Sequence, residues 1–330
     1  MLKKIRKINC LPAVIFTLTI GVVGCGNQAT STSFSQSTTR VNYNLPRVVA
    51  TTSILCDLTK QIAQNTINLT CLIPPGTDPH LYQPKPEDTT VLEQANLILY
   101  NGYNLEPGLI KLIKSTDSPA AKIPVAQIAV PQPQKFRQGK NIAADPHIWH
   151  NVKYGIKMVE VISNNLTKIE PNNSQTYNSN KQKITAELTQ LDKWIKARIA
   201  SIPEDKRILV TPHNSMSYYA KAYGLSLLGT LQGVSTNKTP TSIQIKNLAK
   251  KIKQEKVPTI FNETAINSND IESVATAATV NVSESKLYTD GLGEGGTGVE
   301  TYQTMITANT RTIVEGLGGT YLIFQPKTAN

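Results

Sequence analysis

"PNNSQTYNSNKQKITAELTQLDKWIKARIASIP", from Pro171 to Pro203, is closed by proline at both ends and holds no proline or glycine between them. Its apolar residues Tyr177, Ile184, Leu188, Leu191, Ile195, Ile199 and Ile202 recur at intervals of seven, four and three, the spacing of one helix face. The spacing predicts one helix of about 28 residues within 173–202, roughly 40 Å long at 1.5 Å per residue. A helix of that length either runs along a single domain or stiffly connects two.

The flanks decide between these. Before it, short apolar runs alternate with helical stretches: "RVVATTS", "LTCLIP", "LILYNG" and "KIPVAQIA" read as strands, "DLTKQIAQ" and "PEDTTVLEQA" as helices, with Asp57 as a candidate helix cap. After it the style repeats. "RILVTP", "LSLLGT", "PTIFNE" and "SKLYTD" read as strands, and "TSIQIKNLAKKIKQ", "NDIESVATAA" and "TYQTMITANTRTIVEGL" as helices, the last closed by Gly318 and Gly319. Short buried strands between helices imply parallel sheets. The expected fold is α/β, two lobes with mainly parallel sheets joined by one long rigid helix. The boundaries are an N-terminal lobe over 46–172, the linker helix over 173–202 and a C-terminal lobe over 203–330.

The first 45 residues are of another kind. Lys3, Lys4, Arg6 and Lys7 precede the apolar stretch "LPAVIFTLTIGVVG", which is too short to span a bilayer and has the layout of a signal peptide, residues 1–24. It ends in "VVGC", which resembles the lipobox of bacterial lipoproteins, with Cys25 as the acylated residue. Residues 25–45 are polar and rich in Ser and Thr, a composition that buries no core and reads as a flexible tether. The expected location is exported, in the periplasm or at the cell surface, held to the membrane by lipid at Cys25.

Charge adds little. The formal net charge is +11; removing the four basic residues of the signal leaves +7, scattered as lysines along helical stretches. No basic motif with interleaved aromatics is present, so nucleic acid is not an expected partner. Of the four cysteines, Cys10 leaves with the signal and Cys25 takes lipid. Cys56 and Cys71 remain, an even pair in an oxidising compartment. A disulfide between them is expected, with two buried thiols as the alternative.

Only four histidines occur, and two share one context: "PPGTDPHLYQP" from Pro74 to Pro84 and "ADPHIW" from Ala144 to Trp149. In both, proline stiffens the loop just before the imidazole, and Asp78 and Asp145 serve either to accept a histidine N–H and orient the ring or as a plain turn or helix cap. His80 follows "LTCLIP", His213 follows "RILVTP", and Asp290 closes "SKLYTD" before "GLGEGGTG". Ligands of open α/β sheets bind outside the carboxyl ends of strands. His80, His147, His213 and Asp290, two from each lobe, therefore form a candidate set for a divalent transition metal.

These landmarks, with "VTPHNSMSYYAKAYGL" and "LYTDGLGEGGTGVETYQTMITANT", resemble the zinc/manganese family of solute-binding receptors of ABC importers, from Arg47 to the end. The resemblance implies two α/β lobes bridged by a long helix and one metal held between them by His80, His147, His213 and Asp290. It also implies delivery to a membrane permease driven by a cytoplasmic ATPase, by a receptor acting as a monomer. It places no ligand at His150, read as a helix-start residue, and puts Glu263 near the site as a supporting carboxylate. Three nitrogens and one carboxylate favour Zn2+ over Mn2+, although the chain lacks the His-rich acidic loop that many zinc members carry. A manganese-specific receptor is the first alternative. A surface adhesin of the same fold and a zinc hydrolase are the others; no H-E-x-x-H arrangement supplies a base for hydrolysis, so no enzymatic activity is expected.

Overall fold

The computed structural model describes residues 45–138 and 141–327. The basic segment, the apolar stretch, Cys10, Cys25 and the tether up to residue 44 lie outside the described residues. Among the described residues no helix is long and apolar enough to cross a membrane.

In the first lobe β1 (Arg47–Ala50), β2 (Asn68–Cys71), β3 (Leu97–Tyr100) and β4 (Ala121–Pro124) form one parallel sheet in the order β2-β1-β3-β4. Helices α1 (Ser53–Ala63), α2 (Pro86–Glu93), α3 (Pro107–Ser115) and α4 (Val125–Ala129) alternate with the strands. Side chains alternate across a strand, and the core divides accordingly. Val48, Ala50, Leu97 and Leu99 pack with Leu55, Leu58 and Ile62 of α1. Val49, Ile98 and Tyr100 pack on the opposite face with Leu92 of α2 and Leu109 and Ile113 of α3. A sheet covered on both faces needs strands apolar at every position, which is why "LILY" is buried throughout.

Two local expectations are corrected here. Asp57 is not a cap. Helix α1 begins four residues earlier, where the Thr52 hydroxyl accepts the Leu55 N–H. The Asp57 carboxylate instead accepts the backbone N–H of Tyr302 at 2.8 Å, far along the chain. "KIPVAQIA" is strand only as far as Pro124 and helix from Val125, because proline donates no hydrogen bond and ends the ladder.

The chain then makes an antiparallel hairpin, β5 (Lys135–Gln138) with β6 (Asn141–Ala144). A single 3-10 turn, Ile148–His150, leads into α5 (Val152–Ile169). The predicted long helix is α6 (Ser174–Ala200), preceded by a 3-10 turn at Pro171–Asn173. The six residues of its apolar face from Tyr177 to Ile199 are buried, as is Ile202 just past its end. They join a core cluster that takes in α1 and α5 on one side and Tyr219, Tyr302, Met305 and Ile306 on the other.

The second lobe repeats the first. Strands β7 (Ile208–Thr211) and β8 (Ser226–Thr230) pair in parallel, as do β9 (Thr259–Ile260) and β10 (Asn281–Val282). The Phe261 N–H donates to the Val210 carbonyl at 3.1 Å and joins the two pairs. The order β8-β7-β9-β10 is the same second-first-third-fourth pattern as in the first lobe. Helices α7 (Ser217–Tyr223), α8 (Ser242–Gln254), α9 (Asn269–Ala278) and α10 (Tyr302–Gly316) complete it. The α10 terminus uses Gly318 at φ +78°, with the Gly319 N–H returning to the Val314 carbonyl. "SKLYTD" is corrected as well. It is not a regular strand and touches the sheet only where Leu287 bridges to Glu263. The chain leaves the ladder there because the side chains of Trp149 and His150 take the next available carbonyl, that of Thr289.

Candidate metal centre

The four proposed ligands reach one point from four loops. His80 lies in the loop after β2, His147 between β6 and the 3-10 turn, His213 directly after β7, and Asp290 beyond the Leu287 bridge. Their ligand atoms all lie within 4.8 Å of one another, and none of the four residues is more than 4% exposed.

All three imidazoles turn Nε2 inward. His147 Nε2 is 3.3 Å from both His80 Nε2 and His213 Nε2. Asp290 Oδ1 is 3.2 Å from His147 Nε2 and 4.0 Å from His80 Nε2, and Asp290 Oδ2 is 3.4 Å from His213 Nε2. A tetrahedron of metal–ligand bonds of 2.0–2.1 Å has edges of roughly 3.3–3.4 Å. The three separations from His147 Nε2, to His80 Nε2, His213 Nε2 and Asp290 Oδ1, agree with it within about 0.2 Å. Both oxygens of Asp290 are buried, face these histidine nitrogens and have no other partner. A buried carboxylate left in that state is costly unless a cation satisfies it.

The outward nitrogens of His147 and His213 fix their rings. Asp145 Oδ1 takes both the His147 backbone N–H at 3.0 Å and Nδ1 at 2.8 Å; its other oxygen is held by the Ser217 hydroxyl. His213 Nδ1 is 2.5 Å from Glu263 Oε2, which also accepts the Thr289 hydroxyl at 2.9 Å. Orientation of a histidine by a carboxylate at the remote nitrogen is the usual support of a metal ligand. The two Asp-Pro-His copies differ at this point. Asp78 accepts only the His80 backbone N–H, at 2.8 Å, and gives its second oxygen to the Thr236 hydroxyl.

Electrostatics follow from this layout. Burial opposes charge on His213, but the carboxylates of Glu263 and Asp290 outweigh it and hold its pKa well above the ordinary value of 6.5. For His147 burial is likewise overcome, by Asp145 and Asp290, and the shift is upward. Burial dominates at His80, only partly offset by Asp290, and pushes it down to about 3. Burial also opposes charge on Asp290, yet the facing histidines hold its carboxyl well below the usual range. The carboxylates thus favour the protonated forms of His147 and His213, and the histidines favour the ionised form of Asp290.

His150 is close by but outside the set. Its Nε2 faces the Thr289 carbonyl at 2.9 Å, beside the indole N–H of Trp149 at 3.0 Å. Together they grip the backbone one residue before Asp290. Burial pushes His150 down to about 3, so it is a neutral donor. This grip, and the Ser217–Asp145 contact, left no spacing signal in the sequence.

Residues 48–316 match the model of a protein family described as ZnuA, zinc-uptake complex component A, periplasmic. The chain belongs to the ZnuA family. Among curated relatives, the manganese ABC transporter substrate-binding lipoprotein scaA of Streptococcus gordonii is 34% identical over 304 residues, 90% of this chain and 95% of that protein. PsaA of Streptococcus pneumoniae, also named a manganese ABC transporter substrate-binding lipoprotein, is 33% identical over 94% of this chain and 99% of its own length. Among solved structures, the periplasmic zinc-binding protein TroA of Treponema pallidum superposes with a TM-score of 0.78 at 32% identity. The match covers 83% of this chain and 99% of TroA. Proteins similar to this chain thus include one named for zinc and others named for manganese.

Proposed function

We propose that this protein is the extracytoplasmic receptor of an ABC importer for a divalent transition metal, held by His80, His147, His213 and Asp290 between its two lobes. The observation that carries the proposal is the convergence of three inward Nε2 atoms and the buried Asp290 carboxylate, with ligand atoms all within 4.8 Å of one another. Zinc is the favoured cargo, since three nitrogens and a carboxylate match its preferred donors. Manganese is the second reading. The names of the streptococcal relatives favour it, and so does the placing of both Asp290 oxygens toward the histidines, which allows bidentate binding and a larger coordination number.

Capture is an exchange of charge. His147 and His213 must lose their protons before Nε2 can donate to a metal. Each proton released offsets part of the divalent charge that enters the low-dielectric interior. Affinity therefore rises with pH through the raised pKa values of His213 and His147, while His80, already neutral, contributes no proton competition. Asp290 fills the fourth position, which in a catalytic zinc site belongs to water, so the site is read as one for retention and not for hydrolysis. Cys25 is read as the lipid anchor that keeps the receptor beside a permease and its ATPase. The protein is read as a monomer, and the Cys56–Cys71 pair, Cα atoms 5.8 Å apart, as a disulfide bracing α1 to β2.

Elemental analysis of protein purified without added metal tests the assignment. One zinc or manganese per chain, lost in Asp290→Ala, is expected. Equal metal content in the native and Asp290→Ala proteins contradicts it.

A further inference from the structure

The loop after β8, residues 231–240, touches both histidine loops. On the second-lobe side the Pro212 carbonyl accepts the N–H groups of Leu231 and Gln232 at 2.9 and 3.0 Å, and the Asn214 N–H donates to the Gly233 carbonyl at 2.9 Å. These bonds flank His213. On the first-lobe side the Thr236 hydroxyl donates to Asp78 Oδ2 at 2.6 Å, and Asp78 Oδ1 holds the His80 N–H. Gln232 stiffens the loop between the two ends. Its Nε2 donates to the carbonyls of Thr236 at 3.1 Å and Lys238 at 2.7 Å.

The loop is tied at both ends and sparsely packed between them. A cavity of about 460 Å³, lined by Tyr100, Pro146, Val234 and Ser235 among others, lies along it. A second of about 380 Å³, reaching Phe136 and Thr241, shares Val234 and Ser235 as lining. Thr236 is itself buried, only 9% exposed, and its side chain is the one that crosses to the other lobe.

We infer that Thr236 is a positioning residue for metal retention: its hydroxyl, through Asp78, clasps the His80 loop of the first lobe to the His213 loop of the second and slows escape of the ion. The inference rests on the four-residue site proposed above. Thr236 touches no ligand atom and acts only through Asp78. Losing a hydrogen bond to a carboxylate affects the state that has it, here the closed one. The metal dissociation rate should therefore change and the association rate should not.

The test measures zinc and manganese release into excess chelator by stopped flow, and association separately, for the native protein, Thr236→Val, Thr236→Ser and Asn237→Ala. Thr236→Val should release metal about tenfold faster or more, with association within twofold and the melting temperature of the metal-free protein unchanged. Thr236→Ser, which restores a hydroxyl, should return the rate to near native, and Asn237→Ala, an exposed neighbour, should not alter it. Release from Thr236→Val within twofold of native overturns the clasp while leaving the site intact. So does equal acceleration in Thr236→Ser, or a fall in metal-free stability that accounts for the faster release. A native protein that binds neither metal overturns the site, and the clasp with it.

Discussion

Replacing Glu263 with Gln separates the two effects that this carboxylate exerts on His213. The shape is kept and one amide oxygen remains, but the charge facing Nδ1 at 2.5 Å is gone. Loss of such support to a histidine ligand typically weakens metal binding by about 10–100-fold, or about 1.4–2.7 kcal/mol. The same change removes the largest influence that raises the His213 pKa. The metal-free variant then gives up its His213 proton at lower pH, and proton competition lessens. The two effects oppose each other near neutrality and only the first survives at high pH. The expected loss is therefore nearer tenfold at pH 7, and it grows as pH rises through the native His213 pKa. The assay is competitive titration of zinc at several pH values, with calorimetry in buffers of different ionisation enthalpy to count protons. Fewer protons should be released per metal in the variant. A native-to-variant affinity ratio near unity, or one independent of pH with an unchanged proton count, refutes the role given to Glu263.

Four further outcomes are expected. His213→Glu should lower the zinc-to-manganese affinity ratio in competition titrations, since oxygen replaces nitrogen. Because the new carboxylate faces Glu263, both affinities should fall, and adding Glu263→Gln should recover part of each; an unchanged ratio removes His213 from the site. The metal-free protein should lose thermal stability as pH rises above about 6.5 through the raised His213 pKa, since protonation stabilises the fold only below it. The loaded protein should not, and calorimetric scans of both forms decide. Replacing Cys56 and Cys71 with Ser should reduce stability to urea by about 3 kcal/mol for a 15-residue separation, and two free thiols in the denatured, unreduced protein would exclude the bridge. Cys25→Ala should release the protein from the membrane fraction, and a variant that is processed and stays membrane-bound contradicts lipidation.

The legible parts of this sequence are those governed by periodicity and by rigid local geometry. The face from Tyr177 to Ile202 marked α6 because burial along a helix demands the spacing. "LILY" marked β3 because a doubly covered strand must be apolar throughout. The Asp-Pro-His pairs stood out because two prolines repeat one constraint in a chain with few histidines. What escaped depends on partners distant in sequence. Asp57 looked like a cap, since Asp is a common one, but its partner is the Tyr302 backbone 245 residues away. Leu287 to Asp290 kept a strand's composition while being drawn off the sheet by Trp149 and His150. The β5–β6 hairpin is polar and short, with no alternation to reveal it. Thr236 lies in a Ser/Thr-rich loop like many others, and only the fold brings it against Asp78.

Anomalous diffraction from crystals of natively purified protein, collected on either side of the zinc and manganese absorption edges, tests the central claim most directly. The account predicts one strong peak per chain, about 2.0–2.2 Å from Nε2 of His80, His147 and His213 and from an Asp290 oxygen. Absence of a peak there, or a metal held instead through His150, would contradict it.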